Sequence, residues 1–318
     1  MAKITQYIAE AKSTLFSFEI LPPLKGESIQ SVFKGIEPLM EFKPPFIDVT
    51  YHREEVVYKE HPGGLLEKKS IKKRPGTVAI CAAIMHHFKV DAVPHLIIGG
   101  FNKEETENAL IDLHFLGVDN ILALRGDSLK NEKDFRPEIN GHQLTAQLVA
   151  QIHNMNHGKY LDDGLKDAFP TNFCIGVAGY PEKHCEAPNL QSDIRFLKEK
   201  VAQGAEYIVT QMFFDNAAYF RFVDACRDAD INIPIIPGLK PLTTKKQLQV
   251  LPKTFYIDLP DALSNEIEKA KTDAEVKQIG IDWCISQSKE LMDRGVPVLH
   301  YYTMGKSDAV KKIAESLF

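Results

Sequence analysis

TVAICAAIMHHF (77–88) is the stretch on which the fold turns. It is apolar enough for a buried strand, yet it is rich in alanine and follows Pro75-Gly76, a helix-start signature. As a helix it leaves VPHLIIGG (93–100) as the third member of a regular series of strands. The others are TLFSFEIL (14–21), FIDVTY (46–51), NILALRG (120–126), FCIGVAGY (173–180), YIVTQMFF (207–214), IPIIPGL (233–239) and VLHYYTM (298–304). These are near-continuous apolar runs, the pattern of parallel strands covered on both faces.

Amphipathic stretches separate them. KEETENALIDLHFLG (103–117) has Asn102 as its N-cap and Gly117 as its stop. APNLQSDIRFLKEKVAQG (187–204), DNAAYFRFVDACRDAD (215–230) and TDAEVKQIGIDWCISQSKELMDRG (272–295) continue the alternation. Eight strand–helix units predict an α/β fold, a (β/α)8 TIM barrel forming a single domain over 1–318. A doubly wound sheet would carry a glycine-rich dinucleotide fingerprint, and neither G-x-G-x-x-G nor a Walker A sequence occurs. The 52–76 connection and the 127–143 loop are the segments expected to cover a site.

Composition narrows the function classes. With 44% hydrophobic and 25% charged residues, a net charge of −5 and a pI near 6.1, the chain lacks the basic footprint of a nucleic-acid binder. The one local cluster, Lys68, Lys69, Lys72, Lys73 and Arg74, reads as solvated surface. Five widely spaced cysteines without a C-x-x-C pair suit free thiols in a reducing compartment, and no ligand set has zinc spacing. No apolar run reaches the ~18 residues of a membrane span, and the N-terminus has no signal-peptide core. The expectation is a cytoplasmic protein with no membrane, nucleic-acid or metal partner. That setting removes the adhesion reading of Arg125-Gly126-Asp127.

In such barrels the chemistry lies at the C-terminal strand ends. There the sequence places Glu19, Thr50-Tyr51, His95, Arg125-Gly126-Asp127, Tyr180 with His184 beyond, Gln211, Lys240, and His300 to Thr303. Burying Glu19 within SFEIL costs on the order of several kcal/mol unless it is paired or protonated. It is either a salt-bridged structural residue or a general acid. His95 alone reads more readily as a core histidine than as a ligand, and the adjacent His86-His87 do not share one helix face. Residue chemistry reaches an enzyme acting on a polar, anionic ligand and does not choose the reaction.

The order of motifs does choose one. SFEILPP (17–23), VTY (49–51), PHL (94–96), LALRGD (122–127), AGYPEKH-x-EA (178–187), TQMFFD (210–215), IIPGLKPL (235–242) and HYYTMGK (300–306) occur in the order seen in methylenetetrahydrofolate reductases. Over roughly residues 15–306 the chain resembles that family. The resemblance implies a short, bacterial-type barrel, with no room for the C-terminal regulatory domain of eukaryotic members. It implies non-covalent FAD, NADH or NADPH as co-substrate, and 5,10-methylenetetrahydrofolate reduced to 5-methyltetrahydrofolate for methionine synthesis. Nucleotide and folate would use one face of the flavin in turn.

The resemblance also implies roles. Glu19 is the acid that protonates the leaving nitrogen of the folate ring. Asp127 stabilises the resulting cation and moderates the flavin. Thr50, Tyr51, His95, Arg125, Gly126, Asp127, Tyr180, His184, Asp193 and Lys200 are implied FAD contacts. Gln211, Gln247 and Lys306 are implied substrate contacts. Lys306 stands where some members have Arg, which keeps the charge but loses bidentate geometry. His52-Arg53 follow VTY where several relatives have small residues. A homo-oligomer is implied. The alternatives are a Schiff-base aldolase using Lys240 and a non-catalytic flavin- or folate-binding protein.

Overall fold

The computed structural model describes residues 2–126 and 135–318. At its centre is a barrel of parallel strands: Leu15–Ile20, Phe46–Val49, Asp91–Ile97, Asn120–Leu124, Cys174–Gly179, Tyr207–Thr210, the two short segments Ile235–Ile236 and Gly238–Leu239, and Val298–Tyr302. Sequence neighbours are sheet neighbours, and the first strand also pairs with the last, Leu15 opposite Val298 and Glu19 opposite Tyr302. This is the expected barrel with eight strand positions, the seventh of them split.

Pro237 causes the split, because it has no N–H to give to a ladder. Ile235–Ile236 pairs with the sixth strand and Gly238–Leu239 with the eighth, so the two halves close the ring between them. The Gly238 N–H donates to Thr210 Oγ1 at 3.0 Å, and the His300 N–H to the Pro237 carbonyl at 3.1 Å. These two bonds carry the pairing across the break.

The deciding stretch is a helix, Thr77–Phe88, whose buried Ile80, Cys81 and Ile84 form one stripe at helical spacing. Helix Lys103–Phe115 starts at the expected Asn102. Its Oδ1 accepts the Glu105 N–H at 2.9 Å, and Glu105 accepts the Asn102 N–H at 2.8 Å, a reciprocal capping box.

The barrel is plugged at its N-terminal end. Phe46, Val93, Leu122, Tyr207, Ile236 and Val298 fill the interior, with Ile4 from the terminal helix Ile4–Glu10 packed beneath. Gly176 makes room for the Tyr207 ring: a Cβ there would lie 2.2 Å from Tyr207 Cζ. A second core, between strands and outer helices, holds Phe18, Ile47, Ile121 and Ile175. With the bottom filled, the end that stays open among the described residues is the C-terminal one.

The 52–76 connection is not irregular. Glu55–His61 and Leu65–Ile71 form an antiparallel hairpin turned at Gly63-Gly64, both with positive φ. The pattern escapes a sequence reading because both strands are charge-rich and mostly exposed, so no apolar face announces them. Among the described residues no helix is long and apolar enough to cross a membrane. The five cysteines form no disulfide.

Candidate active site

The open end leads into a cleft of about 1260 Å³. Its floor is built by strand register. Glu19 lies opposite both Asp48 of the second strand and Tyr302 of the eighth. The Thr50 N–H donates to the Ile20 carbonyl at 3.1 Å, extending the pairing one residue past the second strand. This fixes the Thr50 hydroxyl, which donates to Glu19 Oε1 at 2.5 Å.

His95 completes the floor. Its Nε2 lies 3.5 Å from Glu19 Oε2 and 3.4 Å from Asp48 Oδ2. Those separations make ion pairs rather than well-formed hydrogen bonds. Both Asp48 carboxylate oxygens and His95 Nε2 have no hydrogen-bond partner among the described residues. The Asp48 side chain is 1% exposed and that of Glu19 12%, so Glu19 is the carboxyl that meets the cleft. Burial opposes a charged imidazole at His95. The Glu19 charge and the charge and proximity of Asp48 outweigh it, holding the His95 pKa above the usual histidine value. Deeper down, His300 Nδ1 meets Ser17 Oγ at 2.9 Å, and burial pushes this imidazole the other way, toward neutrality. The Tyr302 hydroxyl donates to the Thr210 carbonyl at 2.6 Å, bracing the barrel across its split strand.

A second lobe is made by the fourth and fifth strands. Arg125 pairs with Glu186, and its guanidinium lies 5.2 Å above the Phe135 ring. Gly126 has φ +83°, and a Cβ there would sit 3.0 Å from Ile97 Cδ1. Tyr180 and His184 meet edge to face at 4.8 Å. The Asp193 carboxylate accepts the His184 N–H at 2.8 Å, and Lys200 Nζ donates to the Ala178 carbonyl at 2.8 Å. Asp193 and Lys200 are two turns apart on helix Leu190–Ala202, hence on one face. Burial pulls the Lys200 pKa down to about 8, against the attraction of Asp193.

The wall between the lobes carries Tyr51, its ring 5.3 Å from Phe101 and its phenol pushed up to about 12 by burial and nearby Glu54 and Glu105. Gln211 faces the cleft, its Oε1 accepting the Met212 N–H at 2.9 Å.

The cleft therefore gathers Glu19 and Gln211 together with every expected cofactor position that lies within the described residues. Asp127 lies outside the described residues. Two expected substrate positions are not on the wall. Gln247 Oε1 accepts the N–H groups of Thr243 at 2.7 Å and Thr244 at 3.1 Å, so it caps the start of its own helix, Gln247–Phe255. Lys306 is exposed in the turn after the last strand, its N–H on the Thr303 carbonyl at 3.0 Å. Lys240 is buried, with its pKa drawn down to about 8 by burial, but it is not on the cleft wall.

Sequence reasoning missed Asp48 and Glu186. Asp48 has a usable signal, since it is an acid in an apolar strand with the inward parity of Glu19. Glu186 has none, because its pairing depends on how the chain folds back toward Arg125. No group of three His, Cys, Asp or Glu among the described residues is placed to hold a metal.

Fold and site together define a (β/α)8 barrel with an acid and an imidazole at the floor of a long, cation-walled cleft. The sequence profile of the methylenetetrahydrofolate reductase family matches residues 3–318, and the chain belongs to that family. It is 33% identical over 304 residues to methylenetetrahydrofolate reductase 1 of Schizosaccharomyces pombe, covering 95% of this chain and 45% of that protein. It is 29% identical over 316 residues to 5,10-methylenetetrahydrofolate reductase of Salmonella typhimurium, covering 99% of this chain and 94% of that protein. The chain thus spans about half the length of the eukaryotic relatives it matches. A Clostridium thermocellum protein of uncharacterised function, solved as binding two copies of 5-methyl-5,6,7,8-tetrahydrofolic acid, shares the fold with a TM-score of 0.60. The two are 14% identical, over 99% of this chain and 98% of that one.

Proposed function

We propose that this chain is a cytoplasmic, homo-oligomeric flavin-dependent reductase, the barrel being its catalytic domain. It uses NADH or NADPH to convert 5,10-methylenetetrahydrofolate to 5-methyltetrahydrofolate for methionine synthesis. The observation that carries the reading is the floor of the cleft, where Glu19 presents one carboxylate oxygen beside an imidazole.

The residues fit FAD. The cleft exceeds the roughly 300–1,000 Å³ of an ordinary small-ligand pocket. Lys200 and Arg125 supply cations for its phosphates, and Gly126 lets the backbone approach closely. His95 Nε2, in ion-pair range of two carboxylates but without a hydrogen bond among the described residues, gives the floor a polar atom open to a ligand. When bound, FAD supplies a two-electron relay between nicotinamide and folate.

The chain's own groups do the proton work. Opening the five-membered folate ring requires a proton on its leaving nitrogen. Thr50 holds Glu19 Oε1, which leaves Oε2 as the oxygen that carries and delivers it. His95, 3.5 Å from Oε2 and biased toward its charged form, returns the proton after turnover. Asp48 holds that imidazole in place through its charge. Asp127 takes the role of countering the folate cation. Gln211 meets the folate from the wall, Gln247 reaches it after releasing its capping bonds, and Lys306 supplies an outer charge.

The test uses purified protein under anaerobic conditions. Yellow protein bleached by NADH or NADPH and then recoloured by methylenetetrahydrofolate supports the reading. Colourless protein, or bleached protein that the folate leaves reduced, refutes it. The better of the two nucleotides in the first step is the physiological donor.

A further inference from the structure

The hairpin is the part of the cleft wall that this chemistry leaves unused. Directly opposed residues in an antiparallel pair share a face. Val56 stands opposite Ser70, and Tyr58 opposite Lys68. Val56, Tyr58 and Lys68, all on that face, line the cleft. The face therefore shows the cleft an aromatic ring, 58% exposed, with an ammonium beside it.

Three other cations on this side are engaged. Lys73 Nζ is 2.5 Å from Glu55, Arg53 is 2.8 Å from Glu138, and Arg74 donates to the Pro22 carbonyl. Lys68 has no ion-pair partner among the described residues.

We infer that Tyr58 and Lys68 form a subsite for the tail of the folate, the ring stacking on its aminobenzoyl group and the ammonium meeting a glutamate carboxylate. The assignment rests on the reductase reading above. It favours the folate over the nucleotide for two reasons. The hairpin follows directly on Thr50, the residue bonded to Glu19, so it shares the side of the cleft where the folate acid stands. A single ammonium beside a ring matches a benzoyl amide ending in a carboxylate. A pyrophosphate calls for several converging cations, and those lie in the Arg125 and Lys200 lobe.

The test compares two probes on flavin-loaded protein, read through the flavin absorbance: 5-methyltetrahydrofolate, and the tailless 6-methyltetrahydropterin. Lys68→Ala should weaken the tailed probe about threefold to fivefold at low salt. That loss should fade at about 0.5 M salt. Tyr58→Ala should weaken it about threefold to tenfold, and Tyr58→Phe should restore it. The tailless probe should bind all variants like wild type. Equal losses for both probes, or a loss seen only as a raised KM for the nucleotide, would overturn the subsite. Variants that bind the tailed probe like wild type would overturn it too. A wild type that holds no flavin or ignores both probes defeats the reductase reading itself.

Discussion

Gly126 gives the sharpest test of the geometry at the end of the fourth strand. Its φ of +83° costs any L side chain about 1–2 kcal/mol. In Gly126→Ala the new Cβ would also stand 3.0 Å from Ile97 Cδ1 and 3.2 Å from Ile97 Cβ. The Cδ1 atom can rotate away. The Cβ atom is fixed to the third strand, so the turn itself must move by a few tenths of an ångström, adding about 1–2 kcal/mol. The expected loss is therefore about 2–4 kcal/mol. Gly295→Ala is the matched control: its φ is +75° and nothing lies within 4 Å of its Cβ, so it meets backbone strain alone, about 1–2 kcal/mol. Urea unfolding of both variants measures the difference, with the slope m checked for constancy. Because the displaced turn carries Arg125, Gly126→Ala should also lose flavin more readily on dialysis. Equal destabilisation by the two substitutions would show that Ile97 does not crowd the turn and that the close-approach argument is wrong.

Three further outcomes follow from the same structure. Lys200 is a cation below its pKa of about 8 and neutral above it, so flavin retention should weaken as pH rises through that value, and Lys200→Met should flatten the profile. The folded-state pKa of His95 is raised, so its contribution to stability is fully present below about 6.5 and lost as pH rises through the folded value. Asp48→Asn removes part of that shift, and the stability gap between wild type and variant, followed by denaturation, should shrink from pH 6 toward the alkaline side. Gly176→Ala drives a methyl into the Tyr207 ring and should cost about 3 kcal/mol or more; adding Tyr207→Leu should recover much of it, whereas additive losses would place the strain elsewhere.

How much of this is legible in sequence depends on burial. The barrel strands show themselves because a strand covered on both faces must be apolar throughout. Thr77–Phe88 can be assigned as a helix only because alanine and a preceding Pro-Gly outweigh its apolarity. The split at Pro237 is foreshadowed by a proline inside IPIIPGL, but that each half would serve a different neighbour is a property of ring closure. The hairpin stays hidden because it buries no face. Glu19 stands out as an acid in an apolar run, and Asp48 obeys the same rule in FIDV, yet its tie to His95 exists only once three strands align. Gln247 looks like a polar wall residue, while its amide oxygen is occupied by backbone donors that appear only when the helix forms.

The central claim is that Glu19 acts as the acid of the folate step and of no other. Rapid-mixing measurement of the two half-reactions in Glu19→Gln tests it most directly. The amide keeps an acceptor for Thr50 but has no acidic proton to give. The account predicts flavin reduction by NADH or NADPH within a few-fold of wild type and a folate half-reaction slowed about 10²–10⁴-fold. A folate half-reaction at the wild-type rate, or equal losses in both halves, would contradict it.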